Sequence, residues 1–277
     1  MDELRLIDTF SGIGGFSLAA EQIVGGFKTV AFVECEPYAQ KILKKHWPNV
    51  PIHDDIRAYK PEPYSADVVC GGFPCQDISV AGQGKGITKE TRSGLFYELI
   101  RVIRLVRPKF IVLENVAAIL TNGLGIVLGE LAEAGFNCEW ACIPASALGA
   151  CHQRDRWWLI AYPTSAGTWE NEHRLWRQSQ RGCLQADWDS NQQISKSTSN
   201  SKSIGMEGAG VSKWRYERDL LSPDWRSYTS EPVLRRGDDG LSNRIHRLKA
   251  LGNSIVPQVA AIPLQRVLDL HDSAIHT

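Results

Sequence analysis

The fold of this chain is decided by residues 4–24, LRLIDTFSGIGGFSLAAEQIV. Residues 4–10 predict a buried strand, residues 11–15 form a glycine-rich turn, and residues 16–24 predict a helix. A strand, a glycine turn and a helix in this order open an α/β unit of the nucleotide-binding type. Ser17 stands where the dinucleotide fingerprint needs its third glycine, which favours a nucleoside ligand without a pyrophosphate.

Strand and helix patterns alternate outward from this unit through residue 162, and a helix pattern returns near the end of the chain. The alternation predicts an α/β fold, in which ligands bind at the carboxyl ends of the strands. The predicted strands are 29–34, 52–56, 66–70, 110–116, 136–143 and 156–162, and the predicted helices are 37–46, 95–106, 125–134 and 258–270.

Two acidic residues follow early strands and suit the recognition of a nucleoside. Glu34 ends the second strand about 20 residues beyond the glycine turn, the spacing of an acid that accepts ribose hydroxyls. Asp55 lies near the end of the short strand 52–56 and can accept a hydrogen bond from an adenine amino group, with Ile56 against the ring. A solvated surface acid and a capping acid are the alternative interpretations.

A cysteine lies on a rigid loop where the strand 66–70 ends. Residues 71–79 are GGFPCQDIS, in which Pro74 fixes the backbone and the two glycines let a ligand approach closely. Cys75 is therefore a candidate nucleophile, and a small buried cysteine in a tight turn is the alternative. Residues 82–91 predict a mobile loop that could cover a substrate.

Charged residues also flank two later strands. Glu114 and Asn115 end an apolar strand, where a carboxylate needs a proton or a partner because burial of its charge is costly. Arg154 and Arg156 alternate with Asp155 at the start of a strand, so both arginines point to one face. Paired arginines suit a phosphate or the polar edge of a base, with surface charge as the alternative.

Composition indicates an ordinary globular protein of 277 residues, 43% hydrophobic and 22% charged. No apolar run approaches the roughly 20 residues of a membrane span, and residues 1–5 have no secretory pattern. We therefore expect a cytoplasmic protein without a membrane partner. Lysine plus arginine equal aspartate plus glutamate at 31 each, so a nucleic-acid partner would need a local basic surface.

The seven cysteines have no regular spacing and indicate reduced thiols rather than a disulfide framework. Cys138, Cys142 and the pair Cys151-His152 do not complete a four-ligand zinc set. We expect no metal site.

The composition changes after residue 162, which divides the chain into regions. Residues 163–240 lack long periodic runs and carry tryptophans among scattered arginines, with a polar tract at 190–203. This pattern predicts a small irregular domain suited to touch nucleic acid, with a disordered linker as the alternative. Residues 241–277 are expected to return to the first domain and complete its ligand pocket.

Taken together, these blocks resemble the DNA (cytosine-5) methyltransferases. Residues 8–16 resemble the family's motif for binding S-adenosylmethionine, and residues 71–79 resemble its Pro-Cys-Gln loop. Residues 114–116, 154–156 and 252–254 match three further blocks in the family's order and approximate spacing. The resemblance covers residues 1–162 and about 241–271. His152 departs from the pattern, since the family commonly has glutamine at that position.

The resemblance implies a Rossmann-like α/β sheet of the S-adenosylmethionine-dependent methyltransferase type, formed by residues 1–162 and 241–277, with a small irregular target-recognition domain at 163–240. It implies transfer of a methyl group from S-adenosyl-L-methionine to carbon-5 of a flipped cytosine in double-stranded DNA. The implied catalytic residues are Cys75, Glu114, Asn115, Arg154 and Arg156. The implied cofactor-binding residues are Phe10, Gly12, Gly14, Glu34, Asp55, Ile56, Pro74, Leu95, Asn253 and Ser254.

The implied roles follow from the chemistry of cytosine, whose carbon-5 is a poor nucleophile until the ring is activated. Cys75 adds to carbon-6 and forms a covalent adduct, while a proton-bearing Glu114 draws electron density toward the ring nitrogen. Asn115 supports Glu114, and Arg156 holds the carbonyl oxygen of the base. We expect a monomer.

Three other functions are alternatives for this sequence. An RNA cytosine-5 methyltransferase of the same fold would use the same chemistry, but the insertion at 163–240 favours DNA. A catalytically silent DNA-binding relative is disfavoured because every proposed catalytic residue is present. A thiol hydrolase using Cys75 and His152 would leave Glu34 and Glu114 unexplained. The sequence leaves open the recognised bases and whether a cognate restriction endonuclease acts with the protein.

Overall fold

The structure of the protein, a computed structural model, describes residues 3–74, 94–150, 152–164 and 250–275. Within these ranges seven strands form one sheet. The strands are β1 (Leu4–Thr9), β2 (Phe27–Val33), β3 (Ile52–His53), β4 (Val68–Gly71), β5 (Phe110–Val116), β6 (Phe136–Pro144) and β7 (Asp155–Pro163). The helices are α1 (Gly15–Leu18), which continues as a π-helical turn (Ala19–Val24), α2 (Pro37–His46), α3 (Leu95–Val106), α4 (Ile119–Asn122), α5 (Leu124–Glu133), a 3-10 turn (Ala145–Leu148) and α6 (Pro257–Ile275).

The strand order, β3-β2-β1-β4-β5-β7-β6, places a crevice between β1 and β4. The chain proceeds from β1 to β2 and β3 on one side and then returns to place β4 and β5 on the other. These five strands are parallel, so their carboxyl ends meet at one edge of the sheet. In open α/β sheets ligands bind where the strand order reverses in this way.

Strand β7 brings its own beginning to the same edge. It runs antiparallel to β5, so that Arg156 lies opposite Val116 and Trp158 lies opposite Glu114. An antiparallel strand starts where its parallel neighbour ends. Side chains at the start of β7 therefore join those at the end of β5.

Buried side chains pack on both faces of the sheet, which lies between two helical layers. Strand residues alternate between the faces, as the period of two requires. The first face buries residues of α3 and α5, including Phe96, Leu99, Val127 and Leu131. The second face buries residues of α1, the π-helical turn and α6, including Phe16, Ala20, Ala260 and Leu264.

The predicted α/β sheet is confirmed, and the observed bounds differ at several ends. Helix α2 and strand β5 match their predicted ranges. Strand β2 begins two residues earlier than predicted, and β3 is only two residues long. Strand β4 includes Gly71, because this residue pairs with Leu113 and continues the ladder. Helix α4 was not predicted, and α6 runs to Ile275 with Pro263 inside it.

Helix α6, in the late segment expected to return to the first domain, packs on the second face beside α1. Cys75 and almost all of the predicted domain at 163–240 lie outside the described residues. No helix in the described ranges is long and apolar enough to cross a membrane.

Candidate active site

The glycine turn after β1 adopts a left-handed backbone at three positions, Phe10 (φ 53°), Gly12 (φ 54°) and Gly14 (φ 87°). Glycine takes such angles without strain, whereas a phenylalanine pays a steric cost that the surrounding structure must offset. The Gly12 amide donates to Oε2 of Glu34 at 2.7 Å. The turn and the acid at the end of β2, predicted as two parts of one nucleoside site, are therefore in direct contact.

Glu34 keeps capacity to bind a ligand. Its Oε1 accepts from the Glu36 amide at 2.7 Å, so each carboxylate oxygen has one backbone donor. An ionised carboxylate has about four lone-pair positions, and further hydroxyl donors can be accommodated. A methyl group placed on Gly12 would meet no atom within 4 Å, so there is open space above this part of the turn. These features and the partly buried ring of Phe10 fit the adenosyl part of S-adenosylmethionine.

A second carboxylate lies beneath the turn and is fully buried. Oδ2 of Asp8 accepts from the backbone amide and the hydroxyl of Ser17, at 3.3 and 2.8 Å. Oδ1 has no hydrogen-bond partner among the described residues. Burial, the largest cause, raises the pKa of Asp8 to about 8 against the lowering effect of Ser17, and Glu34 and Glu21 raise it further. Sequence reasoning did not single out Asp8.

The glycine turn is also supported from the side by Trp47. A methyl group placed on Gly14 would lie 2.7 Å from the Trp47 ring, so only glycine fits against it. The indole N–H donates to Oε2 of Glu21 at 2.7 Å, and the other oxygen of Glu21 accepts from the Thr29 amide. The ring is thereby fixed against the turn. In the sequence, the only indication of this support was Glu21, an acidic residue within the predicted helix 16–24.

The residues predicted for the adenine side of the cofactor site have partners within the protein. Asp55 lies on a turn and pairs with Arg57, whose hydrogen bond is the main cause that lowers the pKa of this exposed carboxyl. Ile56 lies in the buried core. Arg101 on α3 donates to the carbonyl oxygens of Tyr59 and Ile56 at 3.0 and 2.5 Å and so fixes this loop. Leu95, also predicted for the cofactor site, begins α3.

The segment that leads to Cys75 is described as far as Pro74 and is tightly held. Methyl groups placed on Gly71 and Gly72 would lie 2.5 Å from Oγ1 of Thr9 and 3.1 Å from Oε2 of Glu114. Nδ2 of the buried Asn115 donates to the Phe73 carbonyl at 3.1 Å. Its Oδ1 accepts from the Val116 amide at 2.9 Å. The bonds of Asn115 therefore fix the approach to Cys75 and do not include Glu114.

Glu114 and Arg156 form an ion pair at the end of β5. The distance from Nε of Arg156 to Oε1 of Glu114 is 2.9 Å, and the two side chains remain 25% and 15% exposed. Burial raises the pKa of Glu114, and Arg156 and Arg154 partly offset this effect. The pair lines one small cavity with Arg154, Trp158, Ile255, Val256 and Val259.

Arg154, the other arginine of the predicted pair, has different partners from Arg156. Arg154 donates through Nη2 to the carbonyl oxygens of Gly252 and Ser254, at 3.0 and 2.5 Å. It therefore bonds the block that contains Asn253 and Ser254, although some 100 residues separate them in sequence. His152 is exposed. In the described part of the chain no three His, Cys, Asp or Glu residues are grouped so as to hold a metal ion.

Comparison with known proteins gives a family and a fold. The sequence model for "C-5 cytosine-specific DNA methylase" matches residues 4–228. Type II methyltransferase M.CviJI of Paramecium bursaria Chlorella virus IL3A is 34% identical over 160 residues, which are 57% of this chain and 42% of that protein. Type II methyltransferase M.HhaI of Haemophilus parahaemolyticus is 31% identical over 163 residues, which are 57% of this chain and 49% of that protein. The chain thus matches less than half the length of these curated relatives.

Among solved structures, the methyltransferase EhMeth of Entamoeba histolytica superposes with a TM-score of 0.50 and 18% identity. The superposition covers 60% of this chain and 55% of that one. At this identity the likeness concerns the fold alone, and it agrees with the mixed sheet described above.

Proposed function

Because this chain belongs to the C-5 cytosine-specific DNA methylase family, we propose that it transfers a methyl group from S-adenosylmethionine to carbon-5 of cytosine in duplex DNA. The observation that carries this proposal is the meeting of three features at one edge of the sheet. These are the glycine turn with Glu34, the Glu114–Arg156 ion pair, and the fixed approach to Cys75.

The glycine turn and Glu34 hold the nucleoside part of the cofactor. Gly12 and Glu34 are already joined, so the ribose acid is oriented before a ligand arrives. When bound, S-adenosylmethionine supplies a methyl group on a positively charged sulfur. Asn253 and Ser254, assigned to the cofactor in this proposal, belong to the segment that Arg154 holds, and the next residue, Ile255, lies against Gly15 of the turn.

Glu114 and Arg156 recognise and activate the base. Arg156 donates to the carbonyl oxygen of cytosine, and protonated Glu114 donates to the adjacent ring nitrogen. The raised pKa of Glu114 favours the proton that this role needs. Because Gly72 has no side chain, the Glu114 carboxylate can lie against the backbone that leads to the nucleophile.

Cys75 is the nucleophile. Its thiolate forms a bond to carbon-6 of the ring, and the electron pair of the carbon-5 to carbon-6 double bond moves to carbon-5, which then attacks the methyl group. Loss of the carbon-5 proton restores the double bond and expels the thiolate. The base must leave the duplex stack, at a cost of a few kcal/mol, because the stacked ring cannot admit the nucleophile.

Residues 163–240 supply target recognition in this proposal. Readout of bases in a DNA groove needs a surface beyond the catalytic sheet. This region makes up most of the sequence between β7 and α6. The protein acts as a monomer in the cytoplasm, with or without a cognate restriction endonuclease.

The decisive experiment measures transfer of labelled methyl groups to duplex DNA and to RNA of matched sequence. We expect transfer to DNA, loss of transfer in Cys75→Ser with cofactor binding retained, and normal transfer in the matched control Cys142→Ser. Full activity of Cys75→Ser refutes the mechanism, and a clear preference for RNA refutes the substrate. Bisulfite sequencing of host DNA after expression identifies the methylated sequence.

A further inference from the structure

The two arginines of β7 have separate partners, which divides their roles. Arg156 bonds Glu114 and the carbonyl oxygen of its neighbour Asp155. Arg154 bonds only carbonyl oxygens of Gly252 and Ser254 among the described residues. Two residues that share a motif are thus bound to different segments of the chain.

The backbone of Arg154 supports a structural constraint at this position. Its φ of 33° lies in the left-handed region, which non-glycine residues seldom occupy. Such a conformation persists only where surrounding contacts hold it, and these residues cluster at functional sites. The two hydrogen bonds from Nη2 are contacts of that kind.

The segment that Arg154 holds reaches both halves of the active site. Between the two bonded carbonyl groups and the start of α6 lies Ile255. A methyl group placed on Gly15 would lie 3.1 Å from Cβ of Ile255, and one placed on Gly72 would lie 3.8 Å from its Cδ1. Ile255 therefore packs between the glycine turn and the approach to Cys75, and it also lines the cavity of Glu114.

The charges around Arg154 agree with a structural role. Burial is the largest cause that lowers the pKa of Arg154, the nearby Arg156 lowers it further, and Glu114 partly offsets both. Glu114 makes its ion pair with Arg156, which leaves the Arg154 guanidinium to bond neutral carbonyl groups. Its position in the cavity wall is thus set by the segment 250–256.

We propose that Arg154 is a positioning residue that holds the segment 250–256 and so couples the cofactor site to the pocket of the target base. This inference rests on the proposed function for the identity of the cofactor. Arg154 touches neither base nor cofactor in this role. It acts through Gly252 and Ser254, which hold Ile255 against the glycine turn.

The first test is calorimetric titration of the full chain with S-adenosylmethionine in the absence of DNA. We expect Arg154→Gln to weaken cofactor binding by about tenfold, since bonds from a charged donor are lost, and Arg154→Lys to recover part of the affinity. The matched control is Arg156→Lys, two residues along the strand, which should bind the cofactor within about twofold of the original protein but lose methyl transfer. Cofactor affinity unchanged in Arg154→Gln, with a raised KM for DNA, overturns the proposal and assigns Arg154 to the nucleic acid.

The second test is hydrogen exchange without ligand, which is independent of the cofactor. Amides of 250–258 should exchange faster in Arg154→Gln than in the original protein, while amides of β5 stay protected and report that the fold is intact. If hydrogen exchange in 250–258 is unchanged in Arg154→Gln, the positioning role of Arg154 is refuted, whatever the affinity for the cofactor. If the original protein binds no S-adenosylmethionine, the proposed function fails, and the exchange result still decides whether Arg154 holds this segment.

Discussion

Replacement of Asp8 by asparagine should change how the stability of the protein depends on pH. Asp8 is buried, and its pKa is raised from 3.8 to about 8, chiefly by burial. The folded chain therefore retains a proton that the unfolded chain releases. The free energy of unfolding contains a contribution that is fully present below pH 3.8 and is lost as pH rises toward and through 8.

The magnitude follows from the two pKa values. Between pH 6 and pH 9 the unfolded carboxyl is ionised throughout, and the folded one changes from protonated to ionised. Proton linkage then lowers the free energy of unfolding by about 3 kcal/mol over this interval. Asparagine is a neutral mimic that can still accept the bonds of Ser17, so Asp8→Asn should lack this loss.

The assay is urea unfolding of the original protein and of Asp8→Asn at pH 6, 7, 8 and 9. The difference in unfolding free energy between them should change by about 3 kcal/mol in favour of the variant as pH rises. Ser17→Ala serves as control: it removes the hydroxyl bond that lowers the pKa of Asp8 and keeps the backbone amide bond, so its loss of stability should shift to higher pH. Parallel curves for Asp8→Asn and the original protein would show that Asp8 is ionised in the fold and refute the reasoning.

Three further substitutions test the surroundings of the two pockets. Gly72→Ala places a methyl group 3.1 Å from the Glu114 carboxylate, so single-turnover methyl transfer should slow by roughly tenfold while the cofactor still binds; an unchanged rate contradicts the assigned geometry. Gly14→Ala combines a left-handed φ of 87° with a contact of 2.7 Å to Trp47, and urea unfolding should show a loss of roughly 3 kcal/mol, whereas a loss below about 1 kcal/mol would mean that the turn relaxes freely. Trp47→Phe keeps a ring but removes the bond to Glu21, and it should cost about 1 kcal/mol in the same assay; no loss would show that the bond adds nothing.

Sequence reasoning predicted the elements whose signal is local. The strand, glycine turn and helix of residues 4–24 and the apolar strand ending in Glu114 are each defined by a pattern of neighbouring residues, and the structure confirms them. Glu34 was predicted as a ribose-binding acid from its spacing of about 20 residues beyond the glycine turn, and its hydrogen bond with Gly12 is seen only in the structure. The pairing of Glu114 with Arg156 depends on β7 being antiparallel, which no local pattern specifies.

Other contacts could not be predicted because they join distant parts of the chain. Asn115 was expected to support Glu114, yet successive residues of a strand point to opposite faces, and its amide reaches Phe73. Arg101 lies in a helix that the sequence marked as core packing, while its guanidinium holds carbonyl groups more than 40 residues away. A backbone carbonyl as partner leaves no signature in the sequence.

The path of the chain gives the Arg154 contact a consequence for target recognition. Strand β7 starts beside the active site at Asp155 and ends eight residues later at Pro163. Pro163 pairs with Phe136 and lies roughly 26 Å from the start of the strand. Thr164, the last described residue before position 250, therefore lies at the opposite edge of the sheet, whereas Gly252 and Ser254 meet Arg154 at the active site. If residues 163–240 bind DNA as proposed, force on the returning chain reaches Ile255 and the Glu114 cavity through this contact, whereas the departing end is tied to Gly135, far from the site. Under that proposal we expect binding of DNA to affect the segment 250–256 through the Arg154 contact rather than through Thr164.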